Sequence, residues 1–190
     1  MHQYKGRLIL HTGSMFSGKT SSLEREIKRF KIAGYKTQVF KPSIDIRSDV
    51  NVIKSHDDQH IEAKSVNDIH EIRDYVKKDP CQVIAIDEVQ FLGGSLDEIL
   101  KNFNEFLDQG LTLICAGLDM DFEAKPFEIV KEIMVRADYV EKHHAVCAKC
   151  GVDAWISHRT SREEQRVVIG ATEKYEPLCR VCYNKSMKKE

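Results

Sequence analysis

Eight consecutive residues near the N-terminus, Gly13-Ser14-Met15-Phe16-Ser17-Gly18-Lys19-Thr20, satisfy the pattern G-x-x-x-x-G-K-[ST] at every fixed position. The residue types suit a polyphosphate. Glycines let the backbone curl so that successive N–H groups point at phosphate oxygens, and a following helix adds the positive end of its dipole. Lys19 then reaches the β- and γ-phosphates, and the Thr20 hydroxyl becomes a ligand for Mg²⁺. An apolar run precedes the motif and an amphipathic stretch follows it, a context that a chance match in a Gly/Ser-rich turn seldom has.

Asp87 and Glu88 stand at the end of the apolar run Val83-Ile84-Ala85-Ile86. Such a run suits a strand covered on both faces, and its carboxyl end is the edge where open α/β sheets bind ligands. One carboxylate there holds the metal or its water shell, and a neighbouring one can take a proton from a nucleophile. Asp-Glu-Val-Gln also fits the D-E-x-x box of helicases. A helicase core needs two such domains and a basic groove, and this chain has neither the length nor the charge for them.

Cys147-x₂-Cys150 and Cys179-x₂-Cys182 are two knuckles separated by 28 residues. Each presents two thiolates on one side of a tight turn, and together they complete a tetrahedron for zinc. Four protein ligands leave no open position, so the metal is expected to be structural. A redox pair or buried thiols would account for one C-x-x-C but not for two. Cys81 and Cys115 fall in or beside apolar runs and read as core residues.

The elements that must position these groups alternate between short apolar runs and amphipathic stretches up to about residue 140. That pattern predicts an α/β fold of the P-loop NTPase (RecA-like) type, a parallel sheet flanked by helices. Strands are expected at 7–12, 37–41, 82–86 and 111–116, and helices at 19–33, 67–78, from Ser95 to about 109, and at 127–137. Ser95-x-x-Glu98 is a capping box, and Gly34 stops the first helix. Residues 43–59 are polar and aperiodic, the composition of a long functional loop. After 140 the cysteine pairs and β-prone segments take over. The expected division is therefore 1–140 for the ATP-binding domain and 141–190 for a zinc-ribbon subdomain.

With 190 residues, the chain has room for one α/β core and a small appendage. Lys and Arg number 29 against 30 Asp and Glu, a balance that argues against a nucleic-acid partner. The segment between the zinc pairs is likewise mixed, with Asp153, Glu163, Glu164, Glu173 and Glu176 set against Arg159, Arg162, Arg166 and Lys174. No run is long and apolar enough for a membrane span, and no signal peptide is evident, so a cytoplasmic location is expected.

Together these stretches resemble the thymidine kinases of the type II, cytosolic-type family, from about Gly6 to Tyr183. Ile86-Asp87-Glu88-Val89-Gln90-Phe91 is similar to that family's I-D-E-x-Q-F segment, and Gly117 to Phe127 to its L-D-x-x-F-x-x-x-P-F stretch. Val168 to Tyr175 resembles its V-I-G-G-x-x-x-Y loop. The resemblance implies transfer of the γ-phosphate of ATP to the 5′-hydroxyl of thymidine, and of deoxyuridine, with Glu88 as general base. It implies that Asp45, Arg47, Asp87 and Gln90 lie near the phosphates, with Thr20 and Asp87 on Mg²⁺. Met15, Phe91, Leu118, Phe122, Phe127 and Ser157 would line the nucleoside pocket. A lasso loop would bond the pyrimidine through Val168, Ile169 and Gly170, with Tyr175 helping to hold it. A homotetramer inhibited by thymidine triphosphate is also implied. The family carries Thr where this chain has Ser157, and a second Gly where Ala171 stands.

Apart from the resemblance, several of these residues have plainer readings. Phe91, Phe122 and Phe127 would ordinarily be core, and Asp45, Arg47 and His56 solvated loop residues. His143 and His144 precede a zinc set already complete with four cysteines, so they read as surface or structural. Two other activities fit the motifs: a P-loop module that binds DNA or protein through its ribbon, and a kinase for a different small acceptor.

Overall fold

A computed structural model describes residues 5–43, 52–54, 60–161 and 174–187. Six strands form one sheet in which every neighbouring pair is parallel. They are β1 (Leu8–Gly13), β2 (Thr37–Pro42), β5 (Lys64–Val66), β6 (Val83–Ile86), β7 (Thr112–Gly117) and β8 (Tyr139–His143), in the order β5-β2-β6-β7-β1-β8. The central strands β1, β6 and β7 are buried throughout, as their near-continuous apolar sequences require.

Four helices cover the sheet: α1 (Lys19–Ile32), α2 (Ile69–Lys78), α3 (Leu96–Asp108) and α4 (Glu128–Arg136). Side chains alternate across the sheet and so build two cores. Leu8, Leu10, Ile84, Ile86 and Leu113 pack with residues of α2, α3 and α4, while Ile9, Val83, Ala85, Ile114 and Ala116 pack with Leu23, Ile27 and Phe30 of α1. Local signals in the sequence set the helix ends. Asp68 caps α2 by accepting from the His70 and Glu71 N–H groups, and Ser95 and Glu98 form both halves of the capping box on α3.

Within 43–59, expected to be loop throughout, Val52–Lys54 forms β3 and pairs antiparallel with β4 (His60–Glu62). A three-residue strand is too short to show a period in sequence. Asp45, Arg47 and His56 lie outside the described residues. The sheet also continues past 140, since β8 runs to His143 beside β1.

Beyond β8, β9 (Ile156–Arg159) and β10 (Tyr175–Leu178) form an antiparallel pair, followed by α5 (Arg180–Met187), a helix the sequence reading did not anticipate. These elements share a small core of Ala145, Ala154, Ile156, Leu178 and Tyr183, against which Phe16 of the phosphate loop also packs. Among the described residues no helix is long and apolar enough to cross a membrane.

Candidate active site and zinc centre

The phosphate loop leaves β1 at Gly13 and enters α1 at Gly18. Gly13 has φ +135°, and a Cβ there would lie 2.2 Å from the His143 carbonyl oxygen, so no other residue fits this position. Phe16 holds φ +64°, a left-handed conformation unusual outside glycine, and it packs against the small core of β9, β10 and α5. Within the loop, Lys19 Nζ donates to the Ser14 carbonyl at 2.6 Å and Ser17 Oγ donates to the same oxygen at 2.8 Å. The loop is tied outward as well: the Met15 N–H donates to Ser157 Oγ at 2.8 Å.

β6 brings Asp87 and Glu88 to the edge beside this loop, and the two carboxylates diverge. Asp87 is buried, with Thr20 Oγ1 3.3 and 3.4 Å from its two oxygens. Burial, followed by the nearby Glu88 charge, pushes its carboxyl up to about 7. A group so placed favours a cation at the Thr20–Asp87 pair, and these two residues fit a Mg²⁺ ligand pair. Glu88 is half-buried and sits at φ +49°. Such left-handed strain in a non-glycine residue costs on the order of 1–3 kcal/mol and recurs at functional sites. The Glu88 carboxylate accepts from the side-chain amide of Gln90. The other end of that amide accepts from the Leu118 N–H at 3.1 Å. Gln90 thus links the Glu88 carboxylate to the start of the next loop.

The aromatic residues expected in the pocket fall into two groups. Phe91 and Phe127 meet edge to face with centroids 6.3 Å apart, and Leu118 packs against the same core. Phe122 instead lies beneath the guanidinium of Arg159, whose centre is 3.7 Å above its ring. Arg159, only 5% exposed, also donates to the Tyr175 hydroxyl at 2.8 Å. Tyr175 therefore holds Arg159, and through it the position of Phe122. In the sequence Arg159 counts only toward the mixed charge of the segment between the cysteine pairs. No local pattern marks it, because its partners Phe122 and Tyr175 come from two other segments. Val168, Ile169, Gly170 and Ala171 lie outside the described residues.

The thiols of Cys147, Cys150, Cys179 and Cys182 all lie within 4.8 Å of one another. The Cys150–Cys179 sulfur separation is 3.6 Å, close to the ~3.8 Å expected of two thiolates on one tetrahedral zinc. Gly151, at φ +78°, closes the first knuckle with an N–H bond to the Cys147 carbonyl at 2.9 Å. Hydrogen bonds from the knuckle backbone, outweighing burial, hold Cys147 down to about 6, while neighbouring cysteine thiols push Cys182 up to about 12. The four thiols thus share protons unequally, and a metal bound among them would displace those that remain. The residues fit a structural zinc, and Zn²⁺ bound there would cross-link the turn after β8 to the start of α5.

A parallel sheet, a phosphate loop at the end of β1 and an acidic pair at the end of β6 define a P-loop phosphotransferase. The thymidine kinase family model matches residues 6–183. The thymidine kinase of Bacteroides fragilis is 39% identical over 186 residues, covering 98% of this chain and 91% of that protein. That of Porphyromonas gingivalis is 40% identical over 181 residues, 95% of this chain and 86% of its own length. The Rhodothermus enzyme is 39% identical over 171 residues, 90% of this chain and 78% of its own. The chain belongs to the thymidine kinase family and is an ATP-dependent nucleoside kinase.

Proposed function

We propose that the chain transfers the γ-phosphate of ATP to the 5′-hydroxyl of thymidine, with Glu88 as the base that takes the hydroxyl proton. The observation that supports this division of labour is the divergence of the two carboxylates, Asp87 toward Thr20 and Glu88 toward Gln90. The phosphate loop binds the triphosphate through its N–H groups and Lys19. Thr20 and Asp87 would hold Mg²⁺, which would supply positive charge to the phosphates. Glu88 removes the proton as O5′ forms its bond to the γ-phosphorus and the bond to the ADP oxygen breaks. Gln90, donating to the Glu88 carboxylate, aims it at the acceptor.

Phe91, Leu118, Phe122 and Phe127 form the apolar side of the nucleoside site, with Met15 and Ser157 at the thymine methyl. Val168, Ile169 and Gly170 close over the base, and Asp45 and Arg47 lie near the phosphates. A methyl in an apolar pocket is worth only about 1–3 kcal/mol, so deoxyuridine is a second acceptor. The homotetramer and inhibition by thymidine triphosphate belong to the same reading. Exposed Val135, Tyr139 and Val140, on α4 and the edge strand β8, are apolar surface of the kind subunit contacts cover. An acceptor screen with γ-labelled ATP tests the activity: thymidine should be labelled best and deoxyuridine next. Better labelling of adenosine or of a nucleoside monophosphate would overturn it.

A further inference from the structure

Three ligand-type side chains converge away from both the carboxylate pair and the cysteines. The parallel register of β1 and β8 sets His11 directly beside Glu141, and strand alternation puts His143 on the same face two residues on. That face is the one α1 covers, since Ile9, two residues before His11, packs with Leu23 and Ile27. The His11 Nδ1 to His143 Nε2 separation is 3.0 Å. His11 Nδ1 lies 3.4 Å from Glu141 Oε2, and His143 Nε2 lies 3.8 Å from the same oxygen. Two nitrogen or oxygen ligands about 2.1 Å from one ion stand ~3.0–3.4 Å apart, for octahedral and tetrahedral geometry respectively. The two His11 separations fall in this range, and the His143–Glu141 pair at 3.8 Å would have to close slightly on an ion.

Hydrogen bonding alone serves this arrangement poorly. His11 is 1% exposed, and its Nε2 is buried without a hydrogen-bond partner. Its Nδ1 faces both a carboxylate oxygen and a second ring nitrogen, and one proton cannot serve both contacts. Burial holds both imidazoles below their ordinary range, which favours the neutral, metal-binding form beside an anionic carboxylate. Lys19 and Arg25 act on His143 from the loop and from α1, and Arg25 with Glu26 on His11. Glu141 is part-exposed and gives an entry path from solvent.

We propose that His11, Glu141 and His143 form a second metal site, separate from the cysteine quartet, for a divalent first-row transition ion such as Zn²⁺. Two imidazoles and one carboxylate select such ions over Mg²⁺ or Ca²⁺, and three protein ligands leave a position for water. A bound ion fastens β8 to β1 at the root of the phosphate loop, because His143 is the register partner of Gly13. The ion is thereby coupled to the stability of the sheet edge rather than to the chemical step.

The test is a titration of zinc-loaded, tag-free protein with Co²⁺, followed by calorimetry and visible absorption. Wild type should take up one equivalent beyond the cysteine zinc, with a spectrum lacking thiolate charge transfer, and its Tm should rise with Co²⁺. His143→Leu and Glu141→Gln should each weaken that equivalent by more than about tenfold, retain the cysteine zinc, and lose the Tm response. Glu141 is part-exposed, so its variant remains informative even if His143→Leu folds poorly. Absence of the additional equivalent in wild type, or its persistence in both variants, would overturn the proposal and leave a hydrogen-bonded triad.

Discussion

The backbone N–H of Met15, inside the phosphate loop, donates to the Ser157 hydroxyl on β9 at 2.8 Å. Phe16, the next residue, packs, as do Trp155 and Ala124, against the small core that includes Cys147 and Cys179. The ATP-binding loop is thus held from one side by the element that the cysteines anchor. Ser157→Ala should leave the Met15 donor without its partner and cost about 1–3 kcal/mol. Ser157→Thr keeps the hydroxyl and should retain this stability, as denaturant unfolding of the two variants would show. Equal loss in both would mean that the hydroxyl bond is not what matters.

Zinc removal should therefore reach further than the nucleoside. One tightly held zinc per chain is expected at the four cysteines, surviving a mild chelator that strips any ion from the His11 site. Cys147→Ser should lose it, weaken thymidine binding and also raise the KM for ATP, because Phe16 loses its platform. Unchanged ATP affinity in the zinc-free variant would show that the loop holds its shape unaided.

Arg159 carries a third prediction. A buried guanidinium that stacks on Phe122 and donates to Tyr175 uses the planar fork, which lysine lacks. Arg159→Lys should lower stability by about 1–3 kcal/mol, the range for a buried charge-assisted bond lost. It should also raise the KM for thymidine more than it lowers kcat, since Phe122 is expected to face the nucleoside. Wild-type unfolding in Arg159→Lys would reduce the stack to a charge contact.

How far the sequence spoke depended on how far apart the partners lie. The phosphate loop, the capping box on α3 and the cysteine knuckles are contained within a few residues each, and local pattern was enough to find them. The parallel sheet was legible because β1, β6 and β7 are buried on both faces and read as unbroken apolar runs. What escaped depends on register or on distant packing. His11 and Glu141 are 130 residues apart and meet only because β1 and β8 pair. Arg159 is one of several mixed charges in its segment, and only the folding of β9 and β10 sets it between Phe122 and Tyr175. The left-handed turn at Glu88 leaves no compositional trace, since glutamate seldom adopts it.

That turn bears on the last prediction, which separates Glu88 from Asp87. Both residues follow the end of β6, and at the left-handed Glu88 the carboxylate meets the Gln90 amide, while Asp87 meets the Thr20 hydroxyl. Asp87 stays buried within 3.4 Å of the Thr20 hydroxyl, where a carboxyl pushed up to about 7 gains most from a cation. Asp87→Asn should therefore raise the Mg²⁺ concentration needed for half-maximal rate. Glu88→Gln preserves shape and removes the base, so kcat should fall by about 10²–10⁴ with little change in ATP affinity. Gln90 adds a control, because Gln90→Leu removes the donor to Glu88 and the acceptor for the Leu118 N–H while sparing both carboxylates. Its kcat should fall by less than that of Glu88→Gln, and its Mg²⁺ requirement should match wild type. Kinetic titrations in ATP and in Mg²⁺ on the three variants decide the matter. Near wild-type turnover in Glu88→Gln would remove it from the base role, and a Mg²⁺ shift in that variant instead of in Asp87→Asn would reverse the two assignments.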